Sequence, residues 1–174
     1  KAAMSRNASE MINLAQRYCE LIEASSAELE SWLEDVAELL PRLHAAVASL
    51  NGKVYSGDVT LMPDLDARFE LYTHLVELLG DRDSYWLEFD RIDDSVTMTG
   101  SLADDLTDIY CELKHGLRSV DKDPAQSVQT WLEGFACHWG QHLSDAERHL
   151  SALASQGRLS SAAEPVGRRA GWKS

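Results

Sequence analysis

Ser101-Leu-Ala-Asp-Asp-Leu-Thr-Asp-Ile-Tyr-Cys-Glu-Leu-Lys114 decides the fold class. Leu102, Leu106, Ile109 and Leu113, continued by Leu117, recur at the period of an α-helix with one buried face. Ser101 and Asp104 form a capping box at its start, where a hydroxyl and a carboxylate three residues on satisfy unpaired N–H groups. Ser101, Asp105, Asp108 and Glu112 run along one flank of the stripe, and Lys114 lies on the other, where its stem can cover the core. A second segment, His138-Trp-Gly-Gln-His-Leu-Ser-Asp145, repeats the design with imidazoles, because His138, His142, Asp145 and His149 recur beside another apolar stripe. Acids line one helix and imidazoles the other. Such a pair makes a buried polar network or a small site.

Outward from these segments the same period persists. Met11, Leu14, Tyr18, Leu21 and Ile22 predict a helix from about Ser5 to Glu23. Ser25-Ser-Ala-Glu28 reads as a capping box opening a second helix, whose stripe is Leu29, Leu33, Val36, Leu40, Leu43, Val47 and Leu50. Pro41 lies inside that stripe and should kink or split the helix, because it removes a backbone donor. Lys53 to Pro63 reads as irregular, with a turn signal at Ser56-Gly57-Asp58. A third helix is predicted from Asp64 to Leu79, with Leu65, Phe69, Tyr72, Val76 and Leu79 inward. Tyr85, Trp86, Leu87 and Phe89 are too apolar for a free loop and predict a short helix or an extended lid. Asp123-Pro124 starts a last helix running to about Ala154, with Val128, Trp131, Leu132, Phe135, Trp139, Ala146, Leu150 and Leu153 on its core face. No convincing alternating strand is visible. The expectation is an all-α, up-and-down bundle of four main helices plus a short accessory helix or lid. It forms one domain over residues 5–154, followed by a loosely held tail over 155–174.

The 174 residues carry 29 acids against 16 Lys and Arg, a net charge of -13. That balance disfavours a nucleic-acid partner, and no run approaches the length of a membrane span. It suits either a solvated surface or a face for a basic protein partner. Cys19, Cys111 and Cys137 are odd in number and widely spaced, which predicts reduced thiols and a cytoplasmic setting. Nothing at the start reads as an export leader, and the three residues ahead of Met4 read as additions to a natural start there.

The run from Ser101 to Leu117, together with Trp131-x3-Phe135-x2-His138-Trp-Gly-x-His142-x2-Asp145-Ala146, resembles an uncharacterised bacterial family, domain-of-unknown-function family 5063. Leu39-Leu-Pro-Arg-Leu43 agrees with it as well, and the resemblance spans Met11 to Leu153. It implies a cytoplasmic helical bundle and brings no established reaction.

Two functional readings stand beside each other. The first is a protein-interaction or regulatory module that works through a protein partner. The second is a metal- or small-ligand-binding bundle, hydrolytic in its sharpest form, with its site between the Asp-rich helix and the His-x3-His helix. For the second, Asp105, Asp108, Tyr110, Glu112, His142 and Asp145 are the polar-network or ligand candidates. His-x3-His places two imidazoles on one face, as a divalent transition metal requires, although the Glu that follows the first His in zinc proteases is missing. A histidine as deep in an apolar face as His142 also needs polar partners, and Asp105, Asp108 or Tyr110 can supply them. His44 with His138 and His142 is similar in outline to the three-histidine metal site of DinB-type bundles. Arg68-x5-His74 formally fits the signature of HEPN-type ribonucleases, against which the acidic charge weighs. Neither a catalytic residue nor enzymatic activity follows from the sequence.

Overall fold

The computed structural model describes residues 5–28, 31–52, 64–87 and 98–160. Its elements are α1 (Arg6–Glu23), α2 (Trp32–Ala48), α3 (Leu65–Leu79), a 3-10 turn (Gly80–Arg82), β1 (Ser84–Leu87), β2 (Met98–Ser101), α4 (Leu102–Leu117), α5 (Pro124–Gly134), a π-helical segment (Phe135–Trp139) and α6 (Gly140–Ser155). Helices α1, α2, α6 and α4 pack in a ring, each against the next, and α3 lies outside on α4. The four main helices of the expected bundle are thus α1, α2, α4 and the continuous α5–α6.

Helix α4 is central because its stripe is complete. Leu102, Leu106, Ile109 and Leu113 are fully buried, each contributing about 1.5–3 kcal/mol relative to exposure. Ser101 caps it through an Oγ that accepts from the Asp104 N–H at 3.2 Å. The other half of the cap comes from Asp83 rather than Asp104: its buried carboxylate accepts from the Ala103 N–H at 2.7 Å and from Ser101 Oγ at 2.9 Å. Asp104 is thereby left to pair with Arg68.

The structure revises several expectations. The Ser25–Glu28 box does not open α2, which begins at Trp32. Ser25 Oγ instead meets His74 Nε2 at 2.9 Å, and Ser26 Oγ accepts from the Glu28 N–H in a turn. Leu29, from the same predicted stripe, lies outside the described residues. Of the kink or split expected at Pro41, the split does not occur: helix continues on both sides, as α2 runs through Pro41 on its exposed side. Pro41→Ala should therefore leave the fold intact and unfold at or above the wild-type denaturant midpoint, because it restores a helix donor. A loss of several kcal/mol would show that the core depends on the proline's geometry.

On α3 the inward face is narrower than predicted. Leu75 and Leu79 are buried and Tyr72 and Val76 are half-buried, but Leu65 and Phe69 are 71% and 66% exposed. Beside the exposed Leu65 and Phe69, the ion pairs of Arg68 tie the N-terminal half of α3 to α4. Of the two alternatives for Tyr85, Trp86 and Leu87, the extended one holds: they form a strand antiparallel to β2 with Tyr85 opposite Gly100, where no strand was expected. Alternation along this strand turns Tyr85 inward and leaves Trp86 67% exposed. Phe89 and the stretch from Lys53 to Pro63 lie outside the described residues.

The last predicted helix exists but is not uniform. At Phe135–Trp139 it widens to π geometry, and the Gly140 N–H reaches back five residues to the Phe135 carbonyl. A Cβ at Gly140 would sit 2.5 Å from that carbonyl oxygen, so the glycine permits the wide turn. The extra residue shifts the phase. Trp139, Leu143, Ala146, Leu150 and Leu153 take the core, and His142 moves from the centre of the apolar face to its edge. In the expected tail, Arg158 donates to the Asp81 carbonyl and Arg82 to the Leu159 carbonyl, and residues 161–174 lie outside the described residues.

Candidate functional site

The wide turn of the last helix sets His138 and His142 against the acidic flank of α4. His142 Nδ1 lies 2.8 Å from Asp105 Oδ1, and His138 Nδ1 lies 2.9 Å from Glu112 Oε1. Both carboxylates are buried, with side chains only 6% exposed. The other ring nitrogens turn toward a single oxygen: Asp108 Oδ2 is 3.2 Å from His142 Nε2 and 3.9 Å from His138 Nε2. The two rings meet edge to face at 4.9 Å. Among the described residues, Asp108, His138 and His142 each offer one ligand atom, all within 4.8 Å of one another.

Each of these residues is held by a neighbour. Arg68 grips the other oxygen of Asp108, with Nε and Nη2 at 2.8 Å from Oδ1, and also reaches Asp104 at 2.8 Å. The Tyr85 hydroxyl donates to Asp105 Oδ2. Gly134 makes room for Glu112, since a Cβ there would lie 2.7 Å from Glu112 Oε2. The site is graded in depth, with the His142 side chain 21% exposed and that of His138 47% exposed.

Electrostatics follow from this packing. Burial works against a charged His142, yet the Asp105 hydrogen bond and the charges of Asp108, Asp105 and Asp104 outweigh it and raise its pKa. Burial raises the Asp105 carboxyl against the pull of His142 and Tyr85. Without metal, the pair therefore holds its shared proton to a higher pH than either group alone in water.

Of the sequence candidates, Asp105, Asp108, Glu112, His138 and His142 come together. Tyr110 does not: its hydroxyl donates to Glu23 Oε1 at 2.7 Å, beside Lys114, on the α1 side of α4. Asp145 pairs with Gln141 and Arg148 on α6 itself, although its charge is felt at Asp105. His44 leaves the expected three-histidine set, because its Nδ1 is bound to Glu147 Oε2 at 2.7 Å and its ring faces Phe135. Arg68 and His74 do not converge either, one held at Asp104 and Asp108 and the other at Ser25. Sequence reasoning missed Arg68 and Tyr85 as parts of this site. The only signals were a charged residue on the inner face of α3 and an aromatic run that needed cover.

The family model described as domain of unknown function DUF5063 matches residues 2–156. This chain belongs to the DUF5063 family. No curated protein matches it significantly. Among solved structures, that of protein BF1032 from Bacteroides fragilis is similar, with a TM-score of 0.68 and 21% identity over 86% of this chain and 92% of that one. At that identity the likeness shows a shared fold. The DUF5063 chain thus shares a helical fold with that structure. No helix among the described residues is long and apolar enough to cross a membrane.

Proposed function

We propose that this DUF5063 bundle binds a divalent transition metal between α4 and α6 through Asp108, His138 and His142. The observation that carries the reading is the orientation of the two imidazoles. Each commits Nδ1 to its own buried carboxylate, Asp105 or Glu112, and thereby turns Nε2 toward Asp108 Oδ2. Metal-binding histidines are oriented in this way, the outer carboxylate fixing the tautomer and raising ligand basicity. Two imidazoles and one carboxylate suit Zn²⁺, Fe²⁺ or Mn²⁺ better than Mg²⁺ or Ca²⁺. Asp108, His138 and His142 would hold the ion, and the chemistry such a centre would supply is Lewis-acid activation of water for hydrolysis.

The test is calorimetric titration of chelated, untagged protein with Zn²⁺. One equivalent should bind, and both His138→Ala and Asp108→Ala should lose that binding while remaining helical. Absence of saturable binding in the wild type, or unchanged binding in both variants, would reject the metal centre.

A second reading, docking of a protein partner, is supported by the exposure of Leu65, Phe69 and Trp86. The net charge of -13 argues against nucleic acid for either reading, and the three free cysteines support a reducing, cytoplasmic setting.

A further inference from the structure

The contacts of His142 do not end at Asp105. The Asp105 carboxylate is shared between His142 Nδ1 on Oδ1 and the Tyr85 hydroxyl on Oδ2, so its plane is fixed from two sides. Tyr85 comes from β1, an element otherwise outside the bundle. Its ring is clamped in turn. On one side it lies across Gly100 of β2, where a Cβ would meet the ring at 2.3 Å. On the other it stacks on His149 of α6, with centroids 4.7 Å apart and planes 28° apart. His149 is itself held by the Arg82 carbonyl at 2.7 Å, just before the hairpin begins. Rotation of Asp105 is therefore limited by a hydroxyl whose position depends on the two strands remaining paired.

We propose that Tyr85 is a positioning residue for the metal centre and that, through it, the β1–β2 hairpin sets how tightly the centre holds metal. The proposal rests on the metal reading above. If the hairpin opens, Asp105 loses one of its two fixed contacts, His142 loses its orientation, and the ligand set meets the ion with freedom it must give up. Outer contacts of this kind change metal affinity by about 10–100-fold. Coupling between two equilibria is reciprocal, so metal must also hold the hairpin closed by the same factor.

Two measurements test this. Tyr85→Phe keeps the ring, its stack on His149 and its fit over Gly100, and removes only the hydroxyl. It should bind Zn²⁺ about 10-fold more weakly in chelator competition and should alter the visible spectrum of the Co²⁺-loaded protein. A hydroxyl with only a structural role would lower the melting temperature and leave affinity and spectrum unchanged. That result would overturn the proposal. The second measurement needs no variant: in the wild type, saturating Zn²⁺ should slow backbone hydrogen exchange at residues 84–87 and 98–101 by about the same factor of 10. Unchanged exchange would overturn it even where the variant fails to fold. Failure of the wild type to bind Zn²⁺ at all would instead reject the metal centre itself, so the two claims fall separately.

Discussion

His142→Ala is expected to abolish metal binding and to destabilise the metal-free protein by about 1–4 kcal/mol. The side chain bridges Asp105 and Asp108, and its removal leaves the buried Asp105 with Tyr85 as its remaining side-chain partner. Because His142 has a raised pKa in the fold, its charge stabilises fully below the unfolded value of about 6.5 and loses that contribution as pH rises through the higher folded value. The gap between wild type and variant, both chelated, should therefore be larger at about pH 6 than at about pH 9 in urea unfolding. A gap that widens with pH would mean that His142 is neutral in the fold.

Gly116→Ala should produce the second large effect, without touching the site. A Cβ at Gly116 would lie 2.2 Å from Trp131 Nε1 and 2.5 Å from Cε2. Trp131 is fully buried and its indole N–H donates to the Leu113 carbonyl, so the ring has nowhere to retreat without giving up that bond. Alanine gains about 1 kcal/mol of helix propensity over glycine, whereas overpacking a rigid core costs about 1–3 kcal/mol before the lost hydrogen bond is counted. The clash wins, and a net loss of about 1–3 kcal/mol is expected in denaturant unfolding. Unchanged stability would show that Trp131 can shift within the core.

Helix α1 was legible from its stripe alone and α4 from stripe and cap together: Ser101 caps through its side chain, and every apolar residue of the α4 stripe up to Leu113 is buried. Where the signals were local but the structure used them elsewhere, reading failed. Ser25 is spent on His74, so the box at Ser25 does not start a helix. Leu65 and Phe69 keep helical phase on α3, but that phase says nothing about whether a neighbour is there to cover them. The π segment is the hardest case. A uniform 3.6 period puts His142 in the core, and only the wide turn at Phe135–Trp139 moves Leu143 into that place.

The candidate site divides the same way. The acids of α4 and the imidazoles of the last helix could be matched because each set shares one helix and one phase. Arg68 and Tyr85 reach the site from 40 and 20 residues away, across contacts that no local period encodes. His44 failed for the converse reason, because Glu147 on the facing helix offers it a closer partner.

The most direct measurement is anomalous diffraction at the zinc edge from crystals of the wild-type protein grown with Zn²⁺. A single strong peak is predicted about 2.0–2.2 Å from Asp108 Oδ2, His138 Nε2 and His142 Nε2, with Asp105 and Glu112 still bonded to the two Nδ1 atoms. A peak elsewhere, at His44 and Glu147 for example, or none between α4 and α6, would contradict the assignment.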